Sequence, residues 1–72
     1  MHTEYAPTPG PELRHQRLAL GAQQKDVAEI LGVSRITIYR LERDPHVPFL
    51  MARRYLGALT EIAHRVPRAA VS

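Results

Sequence analysis

Between Arg35 and Arg43 the chain gathers Arg35, Thr37, Tyr39, Arg40 and Arg43, five side chains that donate hydrogen bonds. Guanidinium groups make planar, two-pronged contacts to phosphate or to a guanine edge, and hydroxyls bond phosphate oxygens. Ile36, set among them, offers an apolar surface that suits a thymine methyl group. The chemistry these residues suit is recognition of a nucleic acid, with no covalent step.

Catalytic alternatives find little to work with. The only serines are Ser34 and Ser72 and there is no cysteine, so a nucleophile is hard to supply. The carboxylates Asp26, Glu29, Glu42 and Asp44 show no helical pairing that also reaches a histidine. His2, His15, His46 and His64 are scattered, without the spacing of a metal site. The expectation is a protein that is not an enzyme and needs no metal and no cofactor.

The donors have to be held by helices. The stretch QKDVAEILGVSRITIYRLER, Gln24 to Arg43, reads as two short amphipathic helices and a tight turn. Val27, Ala28 and Leu31 give the first a buried stripe, and Ile38 and Leu41 give one to the second. Gly32 interrupts the pattern, Val33 is expected to plug the core, and Ser34 stands where an N-cap is wanted. Ala28 is small where the helices should cross. The spacing predicts a helix-turn-helix whose second helix enters a major groove. Arg35, Ile36, Thr37 and Arg40 would face bases. Gln24, Lys25, Ser34 and Tyr39 would face phosphates, Gln24 from a helix start where free N–H groups point the same way. Lys25 and Asp26 otherwise form a solvated face.

Ahead of the motif, Thr8-Pro9-Gly10-Pro11 is a helix-start signal with Thr8 as cap, and Gly21 supplies the stop after Leu20. Leu13, Arg17 and Leu20 share one face. An arginine within an apolar stripe asks for a partner, and Glu42 is the candidate; snorkelling of Arg17 to solvent or phosphate is the alternative. Gln23 is a mediocre cap for the next helix. After it, Asp44-Pro45-His46-Val47-Pro48 is a loop. Met51, Tyr55, Leu59, Ile62 and Val66 then recur at helical spacing up to Pro67, with a break possible near Gly57 or Thr60. Glu61 to Val66 also alternates as a short strand would. Tyr55, Leu59, Ile62 and Val66 are the dimerisation candidates, and Arg53 and Arg54 fit backbone contact or plain surface charge equally.

Bulk properties agree with one small domain. Seventy-two residues leave no room for a second core. Ten Lys and Arg against seven Asp and Glu give a net charge of +3, a modest excess that suits a polyanionic partner. Absence of cysteine fits a reducing cytoplasm, and nothing approaches the ~20 apolar residues of a membrane span. Residues 1–7 are expected to be a disordered arm, 8–66 the folded domain and 67–72 a tail.

The run LRHQRLALGAQQKDVAEILGVSRITIYRLERD resembles the Cro/cI-type (XRE family) helix-turn-helix domain of phage and bacterial regulators. The likeness rests on Leu13-Arg14, Arg17, Gly21, Gln24, Ala28, Leu31-Gly32-Val33-Ser34, Ile38 and Leu41-Glu42, and spans about Leu13 to Leu59. It implies an all-α, lambda-repressor-like domain of four or five helices and a homodimer on a palindromic operator. It also implies a phosphate contact at Gln24, base contacts at Arg35, Ile36 and Arg40, and a structural salt bridge between Arg17 and Glu42. Thr37 and Arg43 stand where the family contacts bases or backbone. Gln16 and Ala22 replace larger apolar residues, and Gln23 replaces the usual Ser or Thr cap. Three other readings fit parts of the chain: a DNA-binding antitoxin paired with a toxin, a protein-interaction module that does not use DNA, and an excisionase-like winged helix-turn-helix. In the last of these a strand pair would follow the recognition helix.

Overall fold

The computed structural model describes residues 7–65. Four helices follow one another: α1 (Gly10–Leu20), α2 (Gln24–Leu31), α3 (Arg35–Arg43) and α4 (Phe49–Arg65). The fold is all-α, and α1 and α2 each pack against both α3 and α4. Leu13, Val27, Ile38, Val47 and Tyr55 fill the centre, with Ala28, Ala52 and Ala58 allowing close approach between helices.

The first two turns are built alike. Gly21 and Gly32 adopt left-handed φ values of 77° and 71°, a region that costs glycine no Cβ clash. The residue after each glycine then bonds back into the helix just ended. Ala22 N–H donates to the Arg17 carbonyl at 3.2 Å and Val33 N–H to the Ala28 carbonyl at 3.0 Å. Val33 thereby sits on the rim of the turn, 38% exposed, and does not plug the core as expected. The start of α2 is held by Asp26, whose carboxylate accepts the Gln23 N–H at 3.0 Å. Asp26 is therefore a helix-start residue as well as part of a polar face.

The segment before α1 departs from the sequence expectation. Thr8 does not cap: the helix begins at Gly10 after Pro9, and no side chain caps it. Thr8 forms an antiparallel bridge with Val47, through bonds of 2.9 and 2.8 Å. Gly10 N–H donates to the Asp44 carbonyl at 2.6 Å. The N-terminus of α1 thus abuts the C-terminus of α3, where their opposite partial charges meet favourably. A Cβ on Gly10 would collide with the backbone of Leu41, Glu42 and Asp44. Glycine is required there by close approach, not by a turn.

Helix α4 continues unbroken through Gly57 and Thr60 to Arg65, so the alternation over Glu61–Arg65 reflects no strand. Helix in that place also removes the winged alternative. Tyr55, Leu59 and Ile62 are 0%, 6% and 8% exposed. They pack into the protomer's own core, which leaves them little apolar area to offer a second copy. Val66, the arm (all but Pro7) and the 67–72 tail lie outside the described residues. No described helix is long and apolar enough to cross a membrane.

Candidate nucleic-acid interface

Helix α3 carries two opposed faces. Ser34 starts it: the side-chain oxygen accepts the Thr37 N–H at 3.1 Å, and the two hydroxyls lie 3.0 Å apart. Ile38 and Glu42, one turn apart, face inward and are buried. Arg35, Ile36, Thr37, Tyr39, Arg40 and Arg43 face outward and are exposed. Ile36 is 53% exposed beside two arginines, a placement its burial energy does not explain. The Arg43 guanidinium rests 5.4 Å from the centre of the Tyr39 ring, so one side chain limits the swing of the other.

The inward face ends in a charged centre. Glu42 Oε2 accepts from Arg17 Nε at 2.7 Å and from the Tyr55 hydroxyl; Oε1 accepts from Arg17 Nη2 at 3.1 Å and from Gln24 Nε2 at 3.0 Å. The donors come from α1, α2 and α4, so one carboxylate on α3 ties all four helices together. Arg17 Nη1 donates onward to the Ala22 carbonyl at 2.9 Å, fixing the α1–α2 turn. No buried polar side-chain atom among the described residues lacks a partner. A network satisfied this fully sets geometry; a missing member would leave a buried charge uncompensated.

The protonation states follow from that arrangement. Burial pushes the Glu42 carboxyl up, but hydrogen bonds from Arg17, Tyr55 and Gln24 outweigh it and hold the group below its ordinary value. The Arg17 guanidinium is pushed up by its bond to Glu42. Burial, then the neighbouring Glu42, drive the Tyr55 hydroxyl well above its ordinary range. At neutral pH the centre is an ion pair with a neutral phenol.

Arg17 and Glu42 meet as a two-pronged pair, and snorkelling is set aside by the burial of both residues. Gln24 stands half-buried at the start of α2 with one amide N–H bonded to Glu42. Lys25 and Ser34 are exposed on the same motif. Two participants escaped sequence reasoning. Tyr55 was assigned by its place on an apolar stripe, although a phenol in such a stripe needs a hydrogen-bond partner. Arg14, exposed on α1, shares a cleft with Gln24, Tyr39 and Arg43. In the sequence it figures only as one of the marks of the family likeness, with no contact assigned to it.

A protein-family model described as helix-turn-helix matches residues 13–59, well over half of the chain. The chain belongs to the Cro/cI-type (XRE) helix-turn-helix family. The matched span runs from the first buried leucine of α1 to Leu59 of α4, and so includes the whole four-helix centre. Comparison with curated proteins and with solved structures returned no match. As a helix-turn-helix family member the protein is a DNA-binding regulator, with α2 and α3 as its motif.

Proposed function

We propose that the protein is a transcriptional repressor or regulator of phage or bacterial type that binds a short palindromic operator as a homodimer in the cytoplasm. Helix α3 lies in the major groove, with Arg35, Ile36, Thr37 and Arg40 against base edges. Gln24, Lys25, Ser34, Tyr39 and Arg43 meet phosphates on either side and set the register. The observation that carries this is the outward face of α3. It presents arginines and a half-exposed isoleucine on a helix whose opposite face is locked into the core.

The two recognition helices of a dimer would lie about 34 Å apart, one helical turn of DNA. The dimer contact does not use Tyr55, Leu59 or Ile62, which are already buried. Gln24 has a divided role in this account. One amide N–H holds Glu42, and the remainder of the amide is left for a phosphate. Gln24→Ala would therefore weaken binding to all sequences alike and leave the salt dependence nearly unchanged, because an uncharged amide releases no counterion.

Selection of bound sites from random duplexes, with the mass of protein and complex measured in solution, tests the proposal. A two-fold symmetric consensus bound by two protomers is expected. Selection that returns no consensus, or a single protomer on an asymmetric site, would contradict it.

A further inference from the structure

The face between α1 and α3 holds a cleft that the helix-turn-helix motif alone does not account for. Pro11 and Arg14 of α1, Gln24 at the start of α2, and Tyr39, Glu42 and Arg43 of α3 line it. Glu42 at its floor brings no free negative charge. Arg17 pairs with it in two-pronged fashion, and all of its near donors come from within the protein. Arg14 and Arg43 are then the uncompensated charges of the cleft. Arg14 is exposed and belongs to neither of the ion pairs formed among the described residues. Arg43 is steadied by the Tyr39 ring. The Gln24 amide has a second N–H beyond the one given to Glu42.

A guanidinium from α1, a guanidinium from α3 and an amide from α2 thus surround one open space. Their common complement is a tetrahedral anion of low charge, approached from the side that α3 shows to DNA. We propose that this cleft seats one phosphodiester of the bound DNA, and that Arg14 is a DNA contact made from outside the helix-turn-helix. This rests on the DNA-binding reading above and extends the contact surface to a third helix. Its consequence is geometric. The Arg17–Glu42 pair joins α1 to α3, so a phosphate gripped by both helices fixes the angle at which α3 lies in the groove.

The test is a scan of a selected duplex in which each phosphate in turn is replaced by a neutral methylphosphonate, read with wild-type protein, Arg14→Gln and Arg54→Gln. Arg54 is also exposed but lies on α4, outside the cleft, so its variant controls for loss of one positive charge. Arg14→Gln is expected to melt as wild type does and to bind roughly tenfold more weakly whatever the sequence. Its salt slope should fall by ~0.9 for each protomer bound, the loss of one phosphate contact per half-site. Neutralising one particular phosphate should weaken the wild type and Arg54→Gln but no longer weaken Arg14→Gln. An interference pattern for Arg14→Gln identical to that of wild type would overturn the cleft assignment and leave sequence-selective binding standing. Failure of wild-type protein to retain any duplex, before a phosphate is altered, would overturn the DNA-binding reading and the cleft with it.

Discussion

The two faces of α3 obey opposite rules. On the inner face every polar atom is spoken for: Glu42 alone receives donors from three other helices. On the outer face Arg35 and Arg40 stand in water, in no ion pair among the described residues. The difference separates paired from unpaired polar groups within nine residues. Over-determined contacts hold the helix at one angle, and unpaired donors keep their hydrogen-bonding capacity for a partner. Substitutions on the two faces should therefore fail in different assays.

The largest effect is expected at the inner face. Arg17→Ala leaves the Glu42 carboxylate buried without its cation and should cost about 3–5 kcal/mol of folding stability, read as a lower denaturant midpoint. An unchanged midpoint would mean that the centre does not hold the helices together. Acid probes the same centre without a mutation. Because the folded state holds Glu42 below its ordinary value of 4.5, the stability it contributes is complete above that pH and is lost as pH falls through the folded value. Denaturant midpoints of wild type should decline over that range, and Glu42→Gln, itself less stable, should lack this component of the decline. Gly10→Ala comes next, at ~1–3 kcal/mol, since its methyl group would drive α1 away from the end of α3. Thermal melts at neutral pH measure it; a neutral outcome would show that the two helix ends can part freely. Smallest is Ser34→Ala, which removes the cap bond to Thr37 and should cost about 1 kcal/mol. Ser34 lies at the border of the two faces, so binding and stability should both decline in that variant.

Much of this organisation was legible in the chain because it is written in local patterns. Glycine after each apolar stripe set the ends of the first two helices, and Ser34 marked the start of the third. An arginine inside the Leu13–Leu20 stripe demanded a carboxylate, and Glu42 was the one on the right side of its helix. What stayed hidden depends on tertiary approach. Thr8-Pro9-Gly10-Pro11 has the composition of a capped helix start, yet Thr8 bonds to Val47 and Gly10 is fixed by the backbone of α3. Val33 is apolar but follows a left-handed glycine, which turns it to the rim. Tyr55, Leu59 and Ile62 looked like spare apolar surface because a helical stripe does not reveal which neighbour covers it. Here α1 and α2 do.

Arg40→Ala tests the central claim most directly, through the sites it selects from random duplexes compared with those of wild type at matched melting temperature. The outer face of α3 predicts unchanged folding, a loss of ~1–3 kcal/mol in binding and a relaxed preference at one position of each half-site. An unchanged affinity together with an unchanged consensus would place sequence recognition somewhere other than on α3.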